Sequence, residues 1–391
     1  MIHVQHMQTK ITNHVCARMS ELEQRMSRYI PPGGNWENIP EEIPSDRLAQ
    51  IRRMSAERGK CRTTYYGRLN PERPSYTINT WFSKIGNGTF LHYDMSQNRL
   101  ISQREAARLQ SFPDNIEFLG SFTSRFKQIG NAVPPFLFFN IIRERFAGCT
   151  AVDLFCGAGG LSVACEWANV RVVCGADHDK NAMETFRSLH PAALSIEGDL
   201  TENDLRAKVI EHSQGVDLVL GGPPCQGFSQ AGWFKARDKR NNLFREFLEV
   251  VREAQPRHFI MENVQGLLWI ANGQALKTIL EEFRAIGYNC NHFVLSSELF
   301  GIPQIRKRVF LTGARGEGPI PFPSPLCANG NHLFLAPVVT VEEALSDLPP
   351  LRDSEPAGVN YIGPPQSDYQ AFMRGGMSAA EYFSRLKNGR R

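Results

Sequence analysis

The sequence lacks the features that mark membrane and secreted proteins. No apolar run approaches the ~20 residues that a membrane span requires. The segment 1–19 is polar and contains several histidines, without the apolar centre of a signal peptide. Hydrophobic residues make up 42% of the 391 residues and charged residues 21%, as in an ordinary globular protein. We therefore expect a cytoplasmic protein of roughly two or three domains, with no membrane partner.

The cysteines also lack the pairing pattern of disulfide frameworks and zinc sites. The sequence contains nine of them, an odd number, and no two form a C-x-x-C pair. We expect free thiols and no metal site.

The overall charge is too small to indicate a nucleic-acid partner, because the formal net charge is only +4. Basic residues nevertheless concentrate in one run that also contains two tyrosines: Arg47, Arg52, Arg53, Arg58, Lys60, Arg62, Arg68 and Arg73. Such a run forms a solvated helix face about as often as it forms a phosphate-binding surface. Both interpretations stay open at this point.

Short apolar runs alternate with helical periods from residue 150 onward, which is typical of a doubly wound α/β domain. The runs predicted to be strands are 151–155, 171–176, 194–197, 216–220, 258–261, 291–295 and 309–312. Between the fourth and fifth runs, the spacing of Phe244, Phe247, Leu248 and Val251 predicts an amphipathic helix. We predict a Rossmann-like parallel sheet with helices on both faces, and a second, smaller and irregular domain formed by the Gly- and Pro-rich remainder.

A glycine-rich turn follows the first predicted strand and opens a helix, in the run D-L-F-C-G-A-G-G-L-S at 153–162. Its glycines would let a ligand lie against the backbone, and Asp177, after the second strand, could bind ribose hydroxyls. Asp199, after the third strand, could accept a hydrogen bond from an adenine amino group. Open α/β sheets bind ligands at this carboxyl edge, so the pattern indicates a nucleoside-containing cofactor. The alternative is a tight turn that needs glycine only for packing.

Cys225 stands on a stiff turn after the fourth strand, in the run G-G-P-P-C-Q-G-F-S at 221–229. Prolines fix φ before it and glycines let the backbone turn, so the thiol is held rigidly at the edge of the sheet. The alternative is an inert core cysteine. Glu262 and Asn263 end the fifth strand beside this turn, and burial would raise the pKa of Glu262 so that it could donate a proton near neutral pH.

In combination these segments resemble the DNA (cytosine-5) methyltransferase family. The chain carries D-L-F-x-G-x-G-G, G-G-P-P-C-Q-x-F-S, E-N-V and Q-x-R-x-R in the family's order, together with R-E-A-A-R-L-Q-S-F-P-D at 104–114 and Q-I-G-N-A-V-P-P at 128–135. The last two motifs usually close the family's sequences, whereas here they precede the cofactor motif. This order predicts a circularly permuted member.

The permuted order implies three segments. Residues 1–120 would hold the C-terminal part of the target-recognition domain and a hinge, 121–318 the catalytic and cofactor-binding domain, and 319–391 the first part of the target-recognition domain. A helix predicted over 136–146 would lead into the strand at Ala151 through a connection of ordinary length. The resemblance also favours DNA phosphate contact for the basic run.

The resemblance implies roles for individual residues. Cys225 would add to C6 of cytosine, Glu262 would donate to N3, and Arg306 and Arg308 would hold the base oxygen, while Asn263 would orient its neighbours. Period two places Gln304, Arg306 and Arg308 on one face of the last strand and Lys307 on the other. The cytosine would be flipped out of duplex DNA, and the segment 230–241 would close over it. S-adenosylmethionine would bind the residues that match the family's pocket: Asn131, Val133, Asp153, Phe155, Gly157, Gly160, Asp177, His178, Asp199, Leu200, Pro224 and Leu243.

Other functions are compatible with parts of the pattern. A related branch of the family methylates cytosine in transfer RNA, although the long two-part recognition region favours duplex DNA. A catalytically silent DNA-binding homologue would have no chemical reason to keep Cys225, Glu262, Arg306 and Arg308 together. An NAD-dependent oxidoreductase is a more distant alternative. We expect a monomer that serves a restriction–modification system, beside a separate endonuclease.

Overall fold

A computed structural model of the protein describes residues 11–59, 64–224, 243–330, 332–351 and 360–389. Within these ranges, no helix combines the length and the apolar character needed to cross a membrane. The central feature is a seven-stranded sheet with helices on both faces.

The part of the chain that precedes the sheet consists of helices joined by turns and very short strands. Capping side chains fix several helix starts, and Ser102 with Glu105 forms a capping box at one of them. This region was predicted to be irregular, but its described residues contain more helix than the turn signals indicate. The elements are α1 (Glu21–Ser27), α2 (Asp46–Arg58), β1 (Gly67–Arg68), β2 (Ser75–Tyr76), β3 (Thr89–Leu91), α3 (Gln103–Leu109), α4 (Phe122–Asn131) and α5 (Pro135–Ile142).

All seven strands predicted from the sequence are present in the central sheet, and the amphipathic helix predicted from Phe244 to Val251 is confirmed. The strands lie in the order β6-β5-β4-β7-β8-β11-β9. The elements are β4 (Thr150–Leu154), α6 (Gly160–Trp167), β5 (Arg171–Asp177), α7 (Lys180–Leu189), β6 (Leu194–Glu197), α8 (Asn203–Ser213), β7 (Leu218–Gly221), α9 (Leu243–Ala254), β8 (His258–Val264), α10 (Gln274–Ala285), β9 (Tyr288–Ser296), β10 (Gln304–Ile305) and β11 (Lys307–Arg315).

The prediction of an entirely parallel sheet is wrong in one strand. β11 runs antiparallel to both of its neighbours, β8 and β9, whereas the other strand pairs of the sheet are parallel. The physical reason is the short link between β9 and β11, which contains only a helical turn (Ser297–Phe300) and β10. A parallel crossover needs a dozen or more residues and usually a whole helix.

Two apolar cores lie on opposite faces of the sheet. One face packs against α8, α9 and α10, with Val209, Phe247 and Ile279 among its buried residues. The other packs against α5 and α6, and against both the N-terminal and the C-terminal parts of the chain. Since successive strand residues point to opposite faces, the buried apolar runs of the strands supply both cores.

The C-terminal part shares its core with the sheet. Its described elements are β12 (Cys327–Ala328), β13 (Ala336–Pro337), α11 (Val341–Leu345), α12 (Asp368–Met373) and α13 (Ala379–Lys387). The ring of Phe136 in α5 has its centroid 5.3 Å from that of Phe372 and 5.0 Å from that of Tyr382. The helices α12 and α13 therefore pack on the sheet domain, so the predicted division after residue 318 does not separate two cores.

Buried ion pairs join the C-terminal part to α3. Arg108 pairs with Asp114 (2.6 Å) and with Asp347, and Arg374 donates to Asp347 (2.7 Å). His14 contacts the carbonyl oxygen of Pro349 (2.8 Å). The segments predicted to form the two parts of one recognition domain are therefore in direct contact.

Candidate active site

A cleft of about 810 Å³ opens at the carboxyl edge of the sheet. Strand register brings its residues to one level, because Leu154 pairs with both Ala176 and Gly221, and Gly221 pairs with Met261. Most of the residues predicted from the motifs line this cleft: Asn131, Val133, Phe155, Gly157, Gly160, Asp177, His178, Pro224, Leu243, Glu262, Arg306 and Arg308. Most of the predicted cofactor residues and the described part of the predicted catalytic set thus face one cavity.

The turn between β4 and α6 presents its backbone to the cleft. Phe155, Gly157 and Gly159 have φ values of 57°, 53° and 90°, all in the left-handed region. A β-carbon at Gly157 would meet no atom within 4 Å, whereas one at Gly159 would lie 2.5 Å from Nε2 of His190. Gly157 therefore leaves open space on the cleft side, while Gly159 packs tightly against the end of α7.

Two alanine substitutions should separate these roles. Gly157→Ala should lower the free energy of unfolding by about 1 kcal/mol because of its left-handed φ, but should strongly weaken cofactor binding because its methyl group enters the open space. Gly159→Ala should lower the free energy of unfolding by about 2–4 kcal/mol, since the clash with His190 is added to the strain. Chemical denaturation and calorimetric titration with S-adenosylhomocysteine measure both effects. Unchanged affinity in Gly157→Ala would contradict the assignment.

Asp177 is tied to the glycine turn. It accepts hydrogen bonds from the backbone N–H groups of Gly157 (2.9 Å) and Asp179 (2.8 Å), and its Oδ1 lies 3.1 Å from Nδ1 of His178. Burial alone would raise the pKa of Asp177, but these hydrogen bonds bring it below its ordinary value. The hydrogen bond with Asp177 also raises the pKa of His178, whose side chain is exposed on the cleft wall. An ionised carboxylate is thus fixed beside the open side of Gly157.

Three predicted cofactor residues do not line the cleft. Leu200 is buried in the apolar core with α8 and α9, and Asp199 is exposed beyond the end of β6. Asp153 is fully buried in β4 and accepts a hydrogen bond from the hydroxyl of Ser162 in α6 (2.7 Å). The predicted direct contact between Asp153 and the cofactor is therefore wrong. Asp153 instead binds the first turn of α6 through Ser162. Position at a strand end could not distinguish these residues, because side-chain direction decides which of them reach the cavity.

The burial of Asp153 should make stability depend on pH. Burial, with a smaller effect of Asp177, raises the pKa of Asp153 to about 7. A carboxyl group whose pKa is higher in the folded state contributes to the free energy of unfolding. This contribution is fully present below the unfolded pKa of ~3.9 and is lost as the pH rises through the folded pKa. Asp153→Asn cannot ionise. At pH ~8 its free energy of unfolding should therefore exceed that of the unsubstituted protein by about 1–3 kcal/mol, and the difference should vanish near pH ~4. Chemical denaturation measures both free energies of unfolding. A difference between the two proteins that stays the same across this pH range would contradict the raised pKa of Asp153.

Glu262 and Arg308 form an ion pair on the cleft wall. Nε of Arg308 lies 2.7 Å from Oε1 of Glu262, and the two side chains are only 13% and 12% exposed. Antiparallel register explains the contact, because Phe310 pairs with Glu262 and Arg308 lies diagonally across from it. Burial raises the pKa of Glu262 above its ordinary value although Arg308 and Arg306 oppose the shift. A raised pKa makes the acid form of Glu262 available at higher pH than in an ordinary carboxylic acid, which favours a role as proton donor.

Arg306 has partners other than the predicted base oxygen. Its side chain is 1% exposed, and its guanidinium donates to the carbonyl oxygens of Ile78 (2.7 Å) and Gly130 (3.0 Å). It thereby fixes the segment around Ile78 and the end of α4 beside the cleft. Arg306 also lines the cleft, so its contact with the base oxygen stays a prediction, and the two backbone contacts are an additional role that the motif did not reveal.

The alternation predicted for this strand is confirmed. Gln304 and Arg306 are buried and Arg308 faces the cleft, whereas Lys307 is exposed. Gln304 accepts a hydrogen bond from the N–H of Ile78 (2.8 Å), so both backbone groups of Ile78 are bound by the short segment 304–306.

The predicted nucleophile Cys225 and the predicted closing segment 230–241 lie outside the described residues. The chain is described up to Pro224, which lines the cleft. Asn263 donates from Nδ2 to the carbonyl oxygen of Pro223 (3.1 Å). As predicted, Asn263 thus acts on its neighbours, by holding the chain two residues before Cys225 against the end of β8.

The basic run does not form a single exposed surface. Arg68 is completely buried and donates to the carbonyl oxygens of Ile30 (2.6 Å), His92 (2.6 Å) and Ser27 (2.8 Å). The predicted contact with DNA phosphates is therefore wrong for Arg68, whose guanidinium is buried. Arg52 likewise donates to the backbone carbonyl of Ile39, which makes a phosphate contact less favourable for it. The members of the run whose side chains are described as exposed are Arg47, Arg53 and Arg73.

Sequence reasoning missed several residues of the cleft wall. Lys127 lines it one turn before Asn131 in α4, where helical spacing could have found it. Gln128 also lines it and opens the motif at 128–135, but no role was predicted for its side chain. Cys156 also lines it, with its Sγ 3.6 Å from Sδ of Met183. Burial raises the pKa of Cys156 well above its ordinary value, which disfavours the thiolate form that a nucleophile needs.

The sheet, its glycine turn and its cleft define an α/β methyltransferase fold. The family model of the C-5 cytosine-specific DNA methylases matches residues 4–147 and 149–350. Because these two matches include most of the chain, the protein belongs to that family.

Several curated relatives are Type II methyltransferases. M.AgeI of Thalassovita gelatinovora is 35% identical over 257 residues, which are 60% of this chain and 59% of that protein. M1.HphI of Haemophilus parahaemolyticus is 37% identical over 53% of this chain and 54% of that protein. M.AquIA of Picosynechococcus sp. is 38% identical over 51% of this chain and 88% of that protein. The matches thus span little more than half the length of the first two relatives.

Proposed function

We propose that this protein is a DNA (cytosine-5) methyltransferase that transfers a methyl group from S-adenosylmethionine to C5 of a cytosine in duplex DNA. The observation that carries the proposal is the shared cavity, in which the Glu262–Arg308 pair faces the same cleft as Gly157 and Asp177. Family membership supplies the reaction class to which this arrangement fits.

The cofactor end of the cleft fits a nucleoside. Gly157 leaves open space where any β-carbon would protrude, and Asp177 places an ionised carboxylate beside it for ribose hydroxyls. The apolar side chains of Phe155, Val133 and Leu243 face the same space. When bound, S-adenosylmethionine supplies an electrophilic methyl group. The protein would orient it between the glycine turn and the residues that end α4.

The other end of the cleft would activate the cytosine. We assign Cys225 as the nucleophile, whose thiolate forms a bond to C6 while the electron pair of the C5–C6 double bond moves toward C5. Glu262 would donate its proton to N3 as this charge develops, and Arg308 would bind the base oxygen. C5 would then take the methyl group, with S-adenosylhomocysteine as the leaving group. Loss of the C5 proton to a base, return of the N3 proton to Glu262 and departure of the Cys225 thiolate would restore the aromatic ring.

The substrate must reach this cleft as an extruded base. C5 and C6 are inaccessible in a stacked duplex, and flipping a nucleotide out costs a few kcal/mol. Lys127 on the cleft wall and the exposed Arg47, Arg53 and Arg73 are cations that DNA phosphates could contact.

We also propose that the chain is circularly permuted. The family model matches in two stretches that meet around residue 148, where α5 leads through a turn into β4. The contacts of Arg108 with Asp347 and of His14 with Pro349 support the proposal that segments from the two ends of the chain build one recognition region. The similarity to Type II methyltransferases also supports a role in a restriction–modification system, with a separate endonuclease. Monomeric state and cytoplasmic location stay predictions.

Methylation assays with labelled cofactor test the function. The purified protein should transfer label to duplex DNA, and sequencing should map the methyl groups to C5 of cytosine in one short sequence. Transfer RNA serves as the competing substrate, and labelling of transfer RNA alone would contradict the proposal. Affinity for duplex DNA should fall steeply as salt concentration rises; a flat response would contradict phosphate contact.

A further inference from the structure

A buried glutamine connects two sides of the cofactor end of the cleft. We call residues 127–133, at the end of α4, the α4 wall, and residues 177–182, at the start of α7, the α7 wall; both contribute lining residues. Gln128 is 5% exposed and lies in the α4 wall. Its contacts reach across to α7.

The side-chain amide of Gln128 makes contacts with both of its ends. Nε2 donates to the carbonyl oxygens of Leu119 (2.9 Å) and Asn181 (3.3 Å) and lies 3.2 Å from the hydroxyl of Ser124. Oε1 accepts a hydrogen bond from the hydroxyl of Thr185 in α7 (2.7 Å). The amide therefore contacts α7 through both a donor and an acceptor.

These contacts lie close to the cofactor residues of each wall. On the α7 side, Asn181 is in the first turn of the helix, where Asp179 caps its N–H (3.0 Å), and Asp177 is two residues further back. On the α4 side, Asn131 follows Gln128 by three residues, which is one helical turn. A change at Gln128 would thus move Asn131 and Asp177 relative to each other.

Other hydrogen bonds tie the start of α4 to α7 in the same way. The N–H of Leu119 donates to the hydroxyl of Thr185 (2.9 Å), and the N–H of Ser121 donates to Oδ1 of Asn181 (3.4 Å). Because α4 and α7 are helices, no strand ladder fixes their spacing, and side-chain contacts must do so. Gln128 is the member of this set that also faces the cleft.

We propose that Gln128 is a positioning residue that sets the spacing of the α4 and α7 walls for cofactor binding. The inference rests on the proposed function and deepens it, since it concerns how the same site holds S-adenosylmethionine. Gln128 acts through Asn131 and Asp177 and takes no part in the bond changes at cytosine. Its loss should therefore weaken cofactor binding without slowing transfer at saturating cofactor.

Calorimetric titration with S-adenosylhomocysteine, without DNA, tests the inference. Gln128→Met keeps the length of the side chain and removes its hydrogen bonds, and should weaken binding by about 10–50-fold. In methylation assays, KM for S-adenosylmethionine should rise by a similar factor, while kcat should stay within about threefold. Thr185→Val leaves Gln128 in place but removes the bond to Oε1, together with the bond that the Thr185 hydroxyl accepts from the N–H of Leu119, and should weaken binding by about 3–10-fold. If Gln128→Met fails to fold, the affinity of Thr185→Val for S-adenosylhomocysteine tests the inference in its place.

Gln370→Met is the matched control. Gln370 in α12 is also fully buried and hydrogen-bonded, to Ser346 (2.9 Å) and to the N–H of Gln366 (2.7 Å), and it does not line the cleft. Its substitution should leave affinity within about twofold of the unsubstituted protein. Unchanged affinity in Gln128→Met or Thr185→Val, or an equal loss in Gln370→Met, would overturn the inference. If the unsubstituted protein binds no cofactor, the proposed function itself is wrong.

Discussion

Replacing Cys225 by alanine should lower the rate of methyl transfer by at least about 10⁴-fold. Without the thiolate, no electron density is pushed from C6 toward C5, and cytosine alone is too weak a nucleophile at C5. Binding of S-adenosylhomocysteine should be unchanged, because Gly157 and Asp177 are not altered. Single-turnover assays with labelled cofactor measure the rate, and calorimetry measures the binding.

Cys149→Ala is the matched control for this experiment. Cys149 is a free, partly buried cysteine in the turn before β4, and it does not line the cleft. The control should transfer methyl groups at the normal rate. If Cys225→Ala keeps more than a trace of activity, the assignment of the nucleophile is wrong.

The second large effect is expected for Glu262→Gln. The amide keeps the shape of the side chain but cannot donate an acidic proton to N3, so the rate of transfer should fall by about 10²–10⁴-fold. DNA affinity should change far less. Because burial raises the pKa of Glu262, its acid form persists closer to neutral pH than an ordinary carboxylic acid, and the rate should fall once the pH exceeds that raised pKa. The variant should lose this part of the pH profile.

Glu298→Gln provides the comparison for Glu262. Glu298 is also buried, and its carboxylate accepts a hydrogen bond from Ser296 (2.7 Å) outside the cleft. Its substitution should leave the rate and the pH profile unchanged. A loss of DNA affinity in Glu262→Gln without a loss of rate would show that Glu262 binds and does not act as the acid.

The sequence was sufficient to predict the strands of the sheet, because buried strands are continuous apolar runs bounded by turn residues. It did not reveal the direction of β11, which depends on the length of the link after β9 and not on the composition of the strand. Nor did it show that α12 and α13 pack on α5, since such contacts join segments more than 200 residues apart. Apolar periodicity shows that a face is buried but does not identify its partner.

In the candidate site, too, the sequence predicted what depends on local pattern and did not predict what depends on distant contacts. Gly157, Asp177 and Glu262 were found because each directly follows or ends a strand, and strand ends meet at one edge. The backbone partners of Arg306 and Arg68 were not predicted, because a buried arginine that binds backbone carbonyls has no distinguishing sequence pattern. Gln128 opens the motif at 128–135, but its contacts were not predicted for the same reason, since its partners in α7 lie about 55 residues away.

A covalent complex with a duplex that contains 5-fluorocytosine tests the central proposal most directly. Fluorine at C5 cannot leave as the proton does, so a thiol bonded to C6 would remain attached after methyl transfer. The account predicts a one-to-one complex that survives denaturation, forms only with S-adenosylmethionine present, and maps by mass spectrometry to the peptide that contains Cys225. Active protein that forms no such complex, or a bond to any other residue, would contradict it.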